Sequence, residues 1–492
     1  MAKTTVDIGG LYGKCLSGNP ADIITARTVY NYCVSPFMVF CNKFAPQDKK
    51  DPPNEYNNLL FEQGRPHEKQ VIENNYPDLK TVKYATFEEG FKLLLEAMGR
   101  GAPVAAGMPV FYLPEAMSGV VDVLEKRQGQ NSVFGNYHYI IKEIKLARNI
   151  RKEHIYQAAF YNYVIGKIQG FTPPSFYLIN RDMEETEQKF VETELLAMIQ
   201  DIREILGGKK VIPTYNTCIW PWQTYNNDEA VRSRDVSLVA GVGQSTKRRL
   251  IARNINTIEH LAKESPQNLT SVEGIGEKTA AKLQSKAAAL ASGKHLRLGC
   301  CKFPEKKTEL FLDLEGTGEQ VQDEGLIAMD YLIGLLARSK GKEEYVPFVA
   351  HKVNQEKEMF SEFLKFVAEQ EDYVIYHWHN YERTHVERLI ERYGFSHEAE
   401  PILDSMRDLY KDAVANFAFP TYGNGLKEIA AYIGYKWKHA DVNAMESIAM
   451  YFEYVKDPYT NRGKLEKVID YNRDDCKATM LIKDWLDRES KK

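Results

Sequence analysis

Between Ser237 and Gly293 this chain has no Phe, Trp or Tyr, although the whole sequence carries 22 Phe, 29 Tyr and 5 Trp. A stretch rich in Ala, Lys and Leu but free of aromatics lacks the side chains that usually fill a large core, so it is constrained to small packed helices. One pattern occurs in it twice, as Leu238-Val-Ala-Gly-Val-Gly-Gln-Ser-Thr-Lys-Arg-Arg-Leu250 and as Ser271-Val-Glu-Gly-Ile-Gly-Glu-Lys-Thr-Ala-Ala-Lys-Leu283. Each copy has a Gly-x-Gly turn, Gly241 with Gly243 and Gly274 with Gly276, ahead of a basic helix. The glycines permit a tight turn with unusual backbone angles. Val272, Ile275, Ala280 and Leu283 are expected to pack the hairpin, and Ile255–Leu261 reads as a further helix. Helix N-terminal amides, the helix dipole and the lysines Lys247 and Lys278 then make candidate phosphate nests. Between Asp235 and Lys294 nine basic residues stand against five acidic ones, inside a chain of net charge -4.

At 492 residues the chain exceeds one ordinary core, and two to four domains are expected. Hydrophobic content of 43% and charged content of 27% fit a soluble globular protein. No apolar run reaches the length of a membrane span, and Met1-Ala-Lys-Thr-Thr-Val-Asp7 has no apolar signal core, so neither a membrane partner nor export is expected. Seven cysteines without regular spacing point to a reduced, cytoplasmic setting. The negative net charge does not exclude a polyanionic partner, because metal sites need carboxylates and bound cations reverse the local field.

Upstream of the helical stretch, Gly119-Val-Val-Asp-Val-Leu124 is an apolar strand with one acid in its middle. Tyr137–Lys145 reads as a second strand, whose period of two puts Tyr139, Ile141, Glu143 and Lys145 on one face. An acid in a buried strand is costly without a partner, so Asp122 and Glu143 are candidate ligands for Mg²⁺ or Mn²⁺. Lys145 is placed to orient water or to stabilise developing charge. His154–Ile165 reads as a mostly buried helix with Gln157 and Tyr161 four apart on one face. Gly64-Arg-Pro-His67-Glu adds a candidate histidine ligand.

In order, Gly-x-x-His67, Asp122, Glu143-x-Lys145 and Gln157-x-x-x-Tyr161 resemble the RecB-like branch of the PD-(D/E)xK nucleases, over roughly residues 25–225. Many relatives in that branch also hold an iron–sulfur cluster through one early cysteine and a later cysteine group. Here Cys33 sits at the early position, but the later region has only Cys218, and a cluster normally takes four thiolates. No iron–sulfur cluster is therefore expected, and Trp220 and Trp222 read as packing residues. The glycine-turn repeat resembles tandem helix-hairpin-helix motifs, which grip the DNA backbone without reading sequence.

Beyond a linker around His295–Lys307, strands and helices alternate again. Thr308–Gly316 is a strand with Asp313 and Glu315 on one face and Leu312 and Leu314 on the other. Two acids on one strand face repel unless a cation lies between them. Tyr373–Glu382 reads as a strand running into a loop, and Val468–Met480 as a helix with Tyr471 and Asp475 one turn apart. Over about residues 308–488 this resembles the RNase H-like 3′–5′ exonucleases of the DEDD type, in the Tyr-x-x-x-Asp subclass. Asp313 and Glu315 match the first motif, and Tyr471 and Asp475 the third. The middle motif reads Asn380-Tyr-Glu382, with glutamate where the family has aspartate. Asp474 competes with Asp475 for the last acid. Gly423–Ile429 resembles the segment before the last helices of such domains.

The expected architecture is therefore α/β and multidomain. A PD-(D/E)xK, restriction-endonuclease-like core spans 1–230, an all-α helix-hairpin-helix module 235–295, and an RNase H-like domain 305–492. Together the resemblances imply a metal-dependent DNA nuclease acting on single strands or ends, with two nuclease-type sites. Its metal ligands would be His67, Asp122 and Glu143 at the first site, and Asp313, Glu315, Glu382 and Asp475 at the second. Lys145, Gln157, Tyr161 and Tyr471 would be catalytic, and Gly241, Gly243, Lys247, Gly274, Gly276 and Lys278 would contact DNA. The competing expectations are a non-catalytic nucleic-acid-binding adaptor and an RNA-processing 3′–5′ exonuclease.

Overall fold

In a computed structural model of the protein, the described residues are 6–53, 67–79, 82–317 and 327–492. They fall into two compact units, which divide between residues 227 and 228.

The first unit is built on a mixed five-stranded sheet: β1 (Val104–Tyr112), β2 (Met117–Ser132), β3 (Gly135–Ile144), β4 (Ser175–Ile179) and β5 (Glu185–Lys189), in spatial order 1-2-3-4-5. β2 runs antiparallel to both β1 and β3, whereas β3 and β4 run parallel. Parallel neighbours need a crossover, and the helix Lys152–Gln169 supplies it. That helix is buried along most of its length from Ala158 onward and stops at Gly170, whose φ of +72° closes it. Gln169 at its end reaches back to the sheet, accepting from the Tyr139 amide (2.8 Å) and donating to the Tyr139 carbonyl (3.0 Å). The core behind the sheet gathers Phe91, Leu94, Tyr139, Ile141, Phe160, Val164 and Leu178.

In the second unit the aromatic-free stretch folds as short helices, Gln244–Ile251, Ile258–Lys263, Pro266–Leu269 and Glu277–Ser292. Val272, Ile275, Ala280 and Leu283 are all buried, as are Leu250, Ile258 and Leu261. Gly241 and Gly274 adopt φ of +101° and +79°, the left-handed region that favours glycine.

After the two-residue strand β6 (Leu296–Arg297) comes a second sheet: β7 (Thr308–Gly316), β8 (Asp330–Ser339), β9 (Lys342–Val349), β10 (Tyr373–His377) and β11 (Met406–Asp408). Its order is β11-β10-β7-β8-β9, with β7, β8 and β9 antiparallel and β10 and β11 parallel to β7. β6 pairs with β12 (Phe417–Ala418) in a separate two-stranded antiparallel sheet. β7 is the central strand, and its apolar residues Leu310, Phe311, Leu312 and Leu314 are buried. The helix Arg462–Lys491 packs on β7 and β8, and Glu356–Ala368 packs on β8 and β9. No helix among the described residues is long and apolar enough to cross a membrane.

Candidate metal centre and nucleic-acid interface

Period two along β7 turns Glu309, Phe311, Asp313 and Glu315 to the side covered by the helix Arg462–Lys491. Arg338 bridges Glu309 to Asp484 of that helix, and Asn472 Nδ2 donates to Asp313 Oδ2 (2.7 Å). Asp475 comes from the same helix face, three residues after Asn472. Asp313, Glu315 and Asp475 each offer an oxygen, and these oxygens lie within 4.8 Å of one another. Among the described residues this is the one group of three or more His, Cys, Asp or Glu side chains to meet that condition.

Carboxylates this close cannot all ionise in a site of low polarity. Burial, and then the charge of Asp475, pushes Glu315 up to about 8. Burial raises Asp475 to about 7, against the lowering effects of the Trp437 hydrogen bond and the Lys427 charge. Asp313 lies well above the usual carboxylate range, through burial and the charges of Asp475, Glu315 and Glu382. The oxygens are fixed from behind. Ser447 Oγ donates to Glu315 Oε2 (3.0 Å) and Trp437 Nε1 to Asp475 Oδ1 (2.8 Å). An all-carboxylate oxygen set is the donor chemistry of hard divalent cations such as Mg²⁺ and Mn²⁺.

Tyr471 lies one turn before Asp475 and is 7% exposed. Burial and the charges of Asp475, Glu315 and Asp313 keep its phenol protonated far above the ordinary range. Asp474 points elsewhere: Tyr435 Oη (2.8 Å) and the Lys438 amide (2.6 Å) donate to it. Glu382 opens the helix Tyr381–Tyr393 and is buried, but it does not join the three-carboxylate group. Its Oε2 lies 3.5 Å from His377 Nδ1. Its charge nonetheless raises Asp313 and Glu315. Sequence reasoning missed Lys427, Trp437, Ser447 and Asn472. Asn472 carried a signal in its i, i+3 spacing from Asp475, and Lys427 lies within the Gly423–Ile429 segment noted above.

In the first unit, Asp122 on β2 and Glu143 on β3 lie on neighbouring strands. Asp122 Oδ2 accepts from the Ile144 amide (2.7 Å). Its carboxyl is held well above the usual range by burial, by Glu143 and, more weakly, by Glu68, while Lys145 acts in the opposite sense. Lys145 Nζ donates to Glu143 Oε1 (2.8 Å) and to Gln157 Oε1 (2.9 Å). Tyr161 also senses both acids, and Gly119 on β2 makes room for it: a Cβ there would lie 2.6 Å from Tyr161 Cε1. Asp122, Glu143, Lys145, Gln157 and Tyr161 thus converge. His67 is helical, as are the described residues up to 75, and burial and Arg181 lower its imidazole below the ordinary value. His67 Nε2 and Glu143 Oε2 are both buried without a hydrogen-bond partner, and each is an acceptor that a cation could fill. Gly64 of the histidine motif lies outside the described residues. Glu68 was not among the expected residues, although it directly follows His67. Cys33 Sγ lies 3.7 Å from Met198 Sδ, whereas Cys41 and Cys218 pack with Trp222 in a separate apolar cluster.

In the helical module Gly243 and Gly276 are the residues from which the helices Gln244–Ile251 and Glu277–Ser292 begin, and neither helix start is capped by a side chain. Gly241, Gly243, Gly274, Gly276 and Lys278 are exposed. Lys247 is not, and here the sequence expectation is corrected. Its side chain is 4% exposed and its ammonium is bound to Asp235 (2.8 Å), which also accepts from the Ser237 amide (2.9 Å). Helical periodicity turns this fourth residue of the helix inward, so its charge is spent inside the module. Arg249 and Arg253 are likewise committed, to the Glu273 carbonyl and to Ser271, and they tie one hairpin to the other. Arg248, Lys278 and Lys282 remain at the surface.

A family model of the RNase H superfamily matches residues 310–487, and one of the SAM-like tandem helix-hairpin-helix matches residues 233–289. No curated protein matches the chain. The C-terminal α/β domain is thus RNase H-like and the helical module is a tandem helix-hairpin-helix. Both indicate nucleic-acid binding, and together they suggest a nuclease, in a superfamily that also includes non-catalytic members.

Proposed function

We propose that the protein is a divalent-metal-dependent nuclease that hydrolyses phosphodiester bonds in DNA, on single strands or ends. The observation that carries this reading is the group Asp313, Glu315 and Asp475, three carboxylates within 4.8 Å in a site that raises all of them. Cations bound there would activate water and offset charge on the scissile phosphate and the leaving 3′ oxygen. The protein's own part is to hold the oxygens. Asn472, Ser447 and Trp437 fix one carboxylate each, so little reorganisation is needed on binding. Tyr471, protonated at all working pH values, orients the attacking water through its phenol.

The first unit is proposed as a second nuclease site of PD-(D/E)xK type. In support, the sheet and its crossover helix Lys152–Gln169 bring Asp122, Glu143, Lys145, Gln157 and Tyr161 together, and unpartnered acceptors on Glu143 and His67 fit a cation. Lys145 would be the water-orienting or charge-stabilising group. The uncapped helix starts at Gly243 and Gly276, with Arg248, Lys278 and Lys282, are proposed to hold the sugar-phosphate backbone.

The test uses Asp313→Ala and Lys145→Ala, singly and together, on labelled single-stranded DNA, duplex DNA and an RNA of the same sequence, with Mg²⁺ or Mn²⁺. Each single variant should lose one activity and the double variant both. A double variant that digests as fast as the parent refutes the assignment, and faster digestion of RNA than of DNA refutes the polymer preference. The position of Glu382 outside the carboxylate group favours a second reading, a clamp that binds without turnover. It predicts salt-sensitive binding and no cleavage with any divalent metal.

A further inference from the structure

The RNase H-like site gathers acid from several elements and has a lysine beside them. Lys427 follows the Gly423–Gly425 turn, on the helix Leu426–Tyr432. The charges of Asp475, Glu315 and Asp313 all act on its ammonium. A lysine half-buried next to three carboxylates would ordinarily close an ion pair with one of them. Lys427 instead donates to the neutral Val442 carbonyl (2.8 Å) and lies 4.4 Å from the centroid of the Tyr471 ring. An ammonium has three N–H donors. The Val442 carbonyl takes one, and the ring face attracts the charge without consuming a directional donor. The side chain is therefore fixed at the flank of the carboxylates with donors to spare. In the resting site its charge offsets part of the carboxylates' negative charge, and its remaining donors can take an oxygen of an anion lying against them.

Resting on the nuclease reading above, we infer that Lys427 is a phosphate anchor of the RNase H-like site. With the carboxylates neutralised by bound cations, its ammonium takes a non-bridging oxygen of the scissile phosphate. Its seat on the Tyr471 ring couples that contact to the phenol that orients water.

The test is made in the full-length protein carrying Glu143→Ala, which removes a proposed ligand of the first-unit site, and compares this parent with the same protein carrying Lys427→Met, Lys427→Gln or Lys427→Arg. Three quantities are read: Mn²⁺ affinity by electron paramagnetic resonance, affinity for a single-stranded DNA 12-mer in Ca²⁺, and kcat with KM in Mn²⁺. Loss of a like charge beside the ligands should tighten Mn²⁺ binding by about tenfold in Met and Gln. Loss of a donor to the developing charge should lower kcat by about a hundredfold. Arginine should restore most of kcat and the parent's Mn²⁺ affinity. Glutamine can still donate to Val442, so it keeps the test open if methionine does not fold. Unchanged or weaker Mn²⁺ binding in both neutral variants, or parental kcat, overturns the inference. Failure of the underlying reading looks different: the parent itself would neither bind Mn²⁺ nor cleave.

Discussion

Three carboxylates within 4.8 Å make the RNase H-like site a source of instability whenever metal is absent. Consider Asp475→Asn. The Asp475 carboxyl moves from an ordinary 3.8 to about 7 on folding, with burial as the main cause. At about 1.4 kcal/mol for each tenfold change in proton affinity, that is at most about 4 kcal/mol. The folded state binds the proton more tightly than the unfolded chain. Stability is therefore complete below about pH 4 and falls as pH rises toward about 7 for Asp475 and about 8 for Glu315. Asparagine removes this penalty and keeps an oxygen to accept from Trp437 Nε1. In EDTA at pH 8 the variant should be more stable than the parent. At about 2–4 °C per kcal/mol for a domain of this size, the RNase H-like transition should rise by several degrees. Its slope between pH 5 and pH 8 should flatten. Mn²⁺ should stabilise the parent at pH 8 and leave the variant nearly unmoved. The assay is thermal unfolding by calorimetry across that pH range, with and without Mn²⁺. A variant that melts below the parent at pH 8 in EDTA, or that keeps the parent's slope, would refute the reasoning.

Asp474→Ala should leave Mn²⁺ binding at the RNase H-like site intact, because Asp474 faces Tyr435 and Lys438, whereas Asp475→Ala should abolish it there; Mn²⁺ titrations of both in a Glu143→Ala background separate them. Gly119→Ala puts a methyl 2.6 Å from the Tyr161 ring, so it should cost about 1–3 kcal/mol in unfolding and displace Tyr161 from Asp122 and Glu143. Lys247→Ala leaves Asp235 buried without its ion pair and should cost about 3–5 kcal/mol, with the salt slope of DNA binding unchanged. Lys278→Ala should do the reverse, leaving stability intact and reducing the slope of log K against log salt by about one. Salt titrations and unfolding curves on the two lysine variants check both statements.

Much of this architecture was legible because it rests on local rules. The period of two put Asp313 and Glu315 on one face, and the helical period put Tyr471 with Asp475. The glycine turns marked the hairpins, whose φ values at Gly241 and Gly274 explain why glycine is there. The errors and omissions have a different source. Lys247 is part of a basic run in sequence, but which basic side chains point inward is decided by the partner Asp235, twelve residues earlier. Lys427, Trp437 and Ser447 reach the site from separate elements, and no spacing rule links residue 315 to residue 447. Asp474 and Asp475 are adjacent in sequence, and only the packing of their helix against β7 distinguishes them. Glu382 shows the remaining difficulty: its motif position was clear, but the side chain turns toward His377.

The central claim is that Asp313, Glu315 and Asp475 form a cation site. A Mn²⁺-soaked crystal of the parent, with anomalous difference density measured at the manganese edge, tests it most directly. The account predicts a peak bridging the oxygens of these three residues, lost in Asp313→Ala. Clear density for all three side chains with no anomalous peak between them, at Mn²⁺ concentrations that support DNA cleavage, would contradict it.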